Sequence, residues 1–297
     1  MSESDIEKSI FIIGTGRSGT TILYDILATH PELAWFSMLS NNHPGSRGWI
    51  RFHKLLETDT LGDYLKSRII TPTRFSRPIT YYLRPNEGAD IYTTYCGFDD
   101  NRRMTEEDYD AEMERKLKGL IEMHLEVTGK RRFMNKRTAN TQRIRLIHRM
   151  FPNAYYIHMI RDGRAAIASY LNVDWWKDMT AWSMGVKVSD WNKAGKDPVE
   201  LATKHWRANL EEILSNKSIL ARYMEVKYED FVKDTWAETK RMTDFCGLSF
   251  PENFKRILPK SLPNMNFKWR KQITQEQSKI IDEYGGDLLK QLGYAES

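Results

Sequence analysis

Eight residues, Gly14-Thr15-Gly16-Arg17-Ser18-Gly19-Thr20-Thr21, constrain the fold of this chain more than any other stretch. They follow a short apolar, β-branched run over residues 9–13, which reads as a buried strand. After them Ile22, Leu23, Ile26 and Leu27 recur at helical spacing until His30-Pro31 stops the pattern. A strand, a glycine-rich turn and a helix in that order form an anion cradle. Backbone N–H groups converge in the turn, and the helix N-terminus adds partial positive charge. Ser18, Thr20 and Thr21 add hydroxyl donors. A loop that grips a nucleoside triphosphate carries a lysine directly after its second glycine, to hold the β- and γ-phosphates. Here Thr20 takes that position, and the cation is Arg17, two residues before Gly19. The turn therefore suits an anion with no γ-phosphate. A dinucleotide-binding turn fits less well. Gly14, Gly16 and Gly19 match its spacing, but no acid closes a second short strand about twenty residues on.

The rest of the chain alternates strands and helices. Further strands are expected over 132–135, 154–160 and 221–226, and helices over 105–128 (ending at Gly129), 140–150, 164–171, 179–193, 198–216, 236–246 and 275–292. Residues 41–95, rich in Pro, Gly, Arg and aromatics, read as loops and short helices. The expected fold is α/β, with a parallel sheet carrying helices on both faces. One domain spans 1–297, with 41–103 as an insertion covering the ligand. Ligands of such sheets sit at the carboxyl ends of the strands.

One of those ends carries a second anion site. The strand over 154–160 runs into Arg161-Asp162-Gly163-Arg164, and Ser169 follows about two helical turns later. A guanidinium and a hydroxyl converging there suit a phosphate monoester.

Bulk properties narrow the partners less. The formal net charge is +5, compatible with an anionic ligand, a nucleic acid or an acidic surface, and selecting none of them. Cys96 and Cys246 lie too far apart in sequence for a metal motif and are too few for a disulfide scaffold, so no metal is expected. The polar N-terminus and the absence of a long apolar run point to a soluble cytoplasmic protein without a membrane span, and neither a membrane nor a nucleic acid is expected as a partner.

Taken in order along the chain, the motifs resemble the 3′-phosphoadenosine-5′-phosphosulfate (PAPS)-dependent sulfotransferases, on the side that includes tyrosylprotein sulfotransferases and bacterial relatives. The match rests on the Gly16–Thr21 turn with His30-Pro31, on Asn135-Lys136, and on Phe151-Pro152-Asn153-Ala154. It continues through Arg161 to Ser169, Tyr228-Glu229-Asp230-Phe231, Lys268-Trp269 and Leu292-Gly293-Tyr294. The resemblance implies a P-loop-like fold and transfer of a sulfuryl group to a hydroxyl or amine, leaving 3′-phosphoadenosine-5′-phosphate. It implies that Gly16, Arg17, Ser18, Gly19, Thr20 and Thr21 hold the 5′-phosphosulfate, and Arg161 and Ser169 the 3′-phosphate. Tyr228, Lys268 and Trp269 would touch the cofactor, and Lys136 the transferring group; Arg17, Lys136 and the N-terminus of the first helix are the catalytic candidates for stabilising charge in transfer.

The tyrosylprotein branch is expected to carry a glutamate soon after its His-Pro pair; here Trp35, Phe36, Ser37 and Met38 occupy that stretch. The general base must come from elsewhere, with His43, Glu87 and Asp99 as candidates and His53 a weaker one. Trp35, Phe36, Trp49, Phe75, Tyr81, Tyr82, Tyr92, Tyr95 and Phe98, with Trp175, Trp176 and Trp182, are candidate walls of an acceptor pocket. A small-molecule acceptor is expected. Two alternatives compete: an ATP-dependent P-loop kinase of small molecules, and a nucleic-acid binder built on Lys130, Arg131, Arg132, Lys136, Arg137, Arg143, Arg145 and Arg149. Those eight cations read mostly as a solvated face plus part of the cofactor pocket.

Overall fold

The computed structural model describes residues 3–294. Its centre is a five-stranded sheet: β1 (Ile10–Ile13), β2 (Leu33–Ala34), β3 (Arg132–Lys136), β4 (Tyr155–Ile160) and β7 (Tyr223–Lys227). The order across the sheet is β2-β3-β1-β4-β7, and every pairing is parallel. A separate antiparallel pair joins β5 (Thr180–Ala181) to β6 (Val186–Lys187).

Alternation along β1 shows how the layers form. Ile10 and Ile12 pack on one face with Leu23, Ile26 and Leu27 of α1 (Thr20–Leu27). Phe11 and Ile13 pack on the other with Leu117, Ile121 and Leu125 of α2 (Ala111–Thr128). Successive side chains of a strand point to opposite faces, so a strand apolar at every position needs cover on both sides. A third apolar cluster joins α3 (Gly163–Leu171), α4 (Pro198–Asn216) and α5 (Gln275–Gln291) around Ile167, Trp206, Ile281 and Leu288.

The expected α/β architecture, a parallel sheet with helices on both faces, is present. Local expectations need four corrections. Thr105 caps only a 3₁₀ turn over Glu106–Asp108, and α2 starts later, at Ala111, behind its own Asp110 cap. The helix expected over 140–150 opens as a 3₁₀ turn and becomes α-helical at Ile144. The helix expected over 179–193 is instead the β5–β6 hairpin, turned through Gly185 at φ 64°, followed by a short helix Val188–Lys193. The two-residue strand β2 was not anticipated. Cys96 and Cys246 are buried and unbridged, and burial pushes both thiols up to about 12. Among the described residues no helix is long and apolar enough to cross a membrane.

Candidate active site

Four neighbouring strands deliver their carboxyl ends to one cleft of about 1000 Å³. β1 ends in the glycine-rich turn, β3 in Lys136, β4 in Arg161 and β7 in Tyr228. Of the residues singled out above, Gly16, Arg17, Gly19, Thr20, Thr21, Glu87, Lys136, Arg161, Ser169, Tyr228, Lys268 and Trp269 line the cleft.

The turn is tight. Arg17 adopts φ 65°, a left-handed conformation unusual for a residue with a side chain and typical of strained functional loops. A Cβ on Gly16 would meet the Tyr170 hydroxyl at 2.1 Å. One on Gly19, at φ 97°, would lie 2.6 Å from the Tyr228 ring. Gly19→Ala is therefore expected to cost about 2–4 kcal/mol, from overpacking together with backbone strain. Urea unfolding followed by tryptophan fluorescence reads that loss. Ser18 is fully buried, yet its hydroxyl has no hydrogen-bond partner. Ser18 does not line the cleft, whereas its neighbours Arg17, Gly19, Thr20 and Thr21 do.

Arg17 reaches across the cleft, and its Nε donates to Ser169 Oγ at 2.9 Å. Arg161 joins the same group: its Nη1 donates to the Arg17 carbonyl at 2.8 Å, and its Nε to Asn266 Oδ1 at 2.7 Å. The Arg161 guanidinium also lies 4.4 Å over the Tyr228 ring. Asn266 donates in turn to Glu229, which accepts from the Tyr294 hydroxyl at 2.8 Å and from the Asp162 N–H at 3.3 Å. Glu229 thus ties the C-terminal segment to the carboxyl end of β4. Lys268 is exposed at the rim, and the Trp269 indole packs 4.7 Å from the Arg164 guanidinium.

At the other end of the cleft, Lys136 is buried. Its ammonium pairs with Glu87 and donates to Thr21 Oγ1 at 3.3 Å. The second Glu87 oxygen accepts from the Thr138 N–H at 2.9 Å. Desolvation by the cleft walls pushes the Glu87 carboxyl up; Lys136, the Thr138 N–H and Arg137 outweigh it and hold the group below its ordinary value. Asp25, paired with Arg84 in the same cleft, is shifted the opposite way: burial raises it to about 6 despite the guanidinium.

Three candidate bases are not brought to the cleft. His43 is exposed and stacks on Trp49 at 5.2 Å. Asp99 pairs with Arg102 at 3.4 Å. His53 is buried against Trp35, and burial lowers its imidazole to about 3. Of Asp99 and its neighbour Asp100, it is Asp100 that lines the cleft, clamped by Arg137 and by the fully buried Arg143. The aromatic walls also need correction. Among the twelve rings proposed, Trp175 alone lines the cleft. Trp35, Phe36, Tyr92, Phe98 and Trp176 belong to the core. The apolar lining comes instead from Ile22, Ile70, Pro72, Met179 and Met265 with Tyr170.

Sequence reasoning missed Asn266, Asp25, Asp100, Tyr170 and the pair His205–Asn209. His205 lines the cleft and is buried, which lowers its imidazole to about 4. Its Nε2 lies 3.1 Å from the Asn209 amide nitrogen, whose oxygen accepts from Trp182. Only Tyr170 had a usable signal, standing next to Ser169. The eight basic residues over 130–149 do not form a solvated stripe. Lys130 pairs with Glu57, Arg131 with Glu32, and Arg145 with Glu106, while Arg132 donates to the Cys246 carbonyl and Arg149 to that of Glu106. The other three are Lys136, Arg137 and Arg143, partnered as described.

A strained turn at the carboxyl end of β1 thus faces an arginine at the carboxyl end of β4. The family model described as "Sulfotransferase family" aligns with residues 9–252, most of the chain. The chain belongs to the sulfotransferase family. A curated relative, the omega-hydroxy-beta-dihydromenaquinone-9 sulfotransferase Stf3 of Mycobacterium bovis, is 22% identical over 314 aligned positions. That alignment covers 97% of this chain and 76% of the relative. Among solved structures, the sulfotransferase STF1 of Mycobacterium tuberculosis superposes with a TM-score of 0.61 at 14% identity, and STF9 of Mycobacterium avium with 0.60 at 17%. Each covers 95% of this sulfotransferase and 77% of the compared chain, and the likeness is one of fold.

Proposed function

We propose that this sulfotransferase uses PAPS as donor and sulfates a hydroxyl or amine of a small, largely apolar acceptor. PAPS supplies the sulfuryl group and a stable leaving group, 3′-phosphoadenosine-5′-phosphate. The observation that carries the reading is the cleft itself: the glycine-rich turn with Thr20 and Thr21 on one side, and Arg17, Arg161 and Ser169 gathered at the far side. Thr20 and Thr21 with the N-terminus of α1 bind the 5′-phosphosulfate. Arg161, Ser169 and the Arg17 guanidinium bind the 3′-phosphate. Lys136 sets its ammonium beside Thr21, where negative charge gathers during transfer.

Glu87 is the proton acceptor in this reading, receiving the acceptor's proton on the carboxylate oxygen that Lys136 now holds. A carboxyl held below its ordinary value stays ionised through neutral pH. The acid limb of kcat/KM is therefore expected below the ordinary glutamate range. A limb near pH 6 would assign the role to Asp25 instead, since its carboxylate forms only as pH rises through about 6. Glu87→Gln is expected to lower kcat roughly 100-fold. A small-molecule acceptor accords with a cleft lined by Ile22, Ile70, Pro72 and Met179. The relative that acts on a hydroxylated menaquinone makes amphipathic alcohols the first acceptors to assay.

The direct test is release of 3′-phosphoadenosine-5′-phosphate from PAPS with a panel of hydroxylated prenyl quinones, phenols and amines. Acceptor-dependent release without magnesium supports the reading. Phosphate transfer from ATP with magnesium, and none from PAPS, overturns it in favour of the kinase.

A further inference from the structure

We infer that the segment from Arg47 to Arg84 is a docking surface for an anionic phospholipid bilayer, placed at the mouth of the cleft. Eight of the twelve exposed large hydrophobic side chains among the described residues lie between 49 and 82. Phe75 is 89% exposed, and Tyr81, Tyr82, Leu61 and Tyr64 are each about half exposed. Scattered apolar side chains are ordinary on a surface, but a concentration within one segment marks an interaction site.

Helical spacing places them together. On the helix Asp59–Ile70, Leu61, Tyr64 and Arg68 form one outward stripe, and Leu65 and Ile69 beside it are buried. On Arg77–Leu83, Arg77 and Tyr81 share a face while Thr80 and Leu83 are buried. Phe75 stands in the connection between the two helices, flanked by Arg74 and Arg77.

Charge commits the surface to an anionic partner. Residues 47–84 hold eight Lys and Arg against Glu57, Asp59 and Asp63, an excess of five that equals the net charge of the whole chain. Arg47 and Arg84 are paired with Glu126 and Asp25. Glu57 and Asp63 are spent on Lys130 and Arg256, outside the segment. Arg51, Lys54, Lys66, Arg68, Arg74 and Arg77 are left without a carboxylate partner among the described residues. Basic side chains beside exposed Phe, Tyr and Leu are the composition of an interfacial membrane element. Leu55 and Leu61 offer no ring for a base to stack on, which suits acyl chains better than a nucleic acid. Ile70, Pro72 and Arg84 of the same segment line the cleft, so the surface runs to its opening. On the reading of an apolar acceptor given above, the bilayer also holds that acceptor, but the docking itself needs no donor and no turnover.

The test is flotation of the full chain with large unilamellar vesicles. One set is phosphatidylcholine alone and the other contains about a third phosphatidylglycerol, each at low and at 0.5 M salt. Recovery with the anionic vesicles, little with the neutral ones and loss at high salt are expected. Charge neutralisation costs roughly fivefold in partitioning per cation near the surface. Arg74→Gln/Arg77→Gln is therefore expected to weaken binding roughly 25-fold. Phe75→Ser/Tyr81→Ser/Tyr82→Ser is expected to abolish recovery. Unchanged affinity for 3′-phosphoadenosine-5′-phosphate in both variants shows that each remains folded. Equal recovery with neutral vesicles, no recovery at all, or variants that float like the parent overturns the proposal. So does a concentration-dependent dimer, or salt-sensitive binding to an oligonucleotide, that the same substitutions abolish in the absence of vesicle binding.

Discussion

Lys136→Ala is expected to lower kcat by at least ~100-fold while leaving the affinity for 3′-phosphoadenosine-5′-phosphate within about threefold. The ammonium comes from the last residue of β3, is buried, and is held between Glu87 and Thr21 Oγ1. Its charge is therefore fixed beside the anion turn before the donor arrives, and no reorganisation is needed as negative charge develops. A lysine acting only in transfer leaves the product complex nearly unchanged, so the effect falls on kcat. The substitution also strips Glu87 of its main cation. Glu87 keeps the Thr138 N–H and is 40% exposed, so the chain tolerates the loss. Comparing Glu87→Gln with Lys136→Ala/Glu87→Gln separates the two effects. If the lysine served only to position Glu87, the double variant would match Glu87→Gln alone. It is expected to be slower. Steady-state turnover and product titration read both quantities.

Arg161→Ala is expected to act on binding instead, raising the dissociation constant of 3′-phosphoadenosine-5′-phosphate about 30- to 300-fold. Hydrogen bonds to charged groups contribute about 1.5–3 kcal/mol each, and the guanidinium is positioned to offer more than one to a phosphate. Arg161 also ties the Arg17 carbonyl to Asn266, so its removal loosens the turn as well. Donor KM is expected to rise far more than kcat falls. Arg17→Ala is expected to share this signature, because its guanidinium meets Ser169 and not Lys136. A large loss of kcat with unchanged product affinity in Arg161→Ala would move that residue out of the 3′-phosphate site.

The anion turn and the strand ends were legible because each is local. A strand, glycines at fixed spacing and a helix are contiguous in sequence, and Arg161 to Ser169 spans a single turn and helix. What was not legible depends on contacts between distant segments. Glu87, His43 and Asp99 are equivalent as polar residues in a loop-rich stretch. Only the folded chain brings Glu87 to Lys136 while His43 turns to Trp49 and Asp99 to Arg102. Asp99 and Asp100 differ only in which way each side chain points. Asn266 stands in an irregular segment with no motif, yet it joins Arg161 to Glu229. Aromatic count misled for the opposite reason: an apolar ring is as content in the core, as Tyr92 and Phe98 are, as at a cleft wall. The 179–193 stretch was read as helix because its tryptophans hid the turn signal of Gly185. The two residues of β2 are too few to show any period.

In the proposed function, one cleft offers two anion sites suited to a 3′-phosphorylated nucleotide with no γ-phosphate. The decisive measurement is calorimetric titration with 3′-phosphoadenosine-5′-phosphate, with ADP, and with ATP plus magnesium. Micromolar binding of the first, unaffected by magnesium, is expected, with ADP weaker by at least ~30-fold, since ADP lacks the 3′-phosphate that Arg161 and Ser169 would hold. Equal affinity for ADP, or preference for ATP with magnesium, would contradict it.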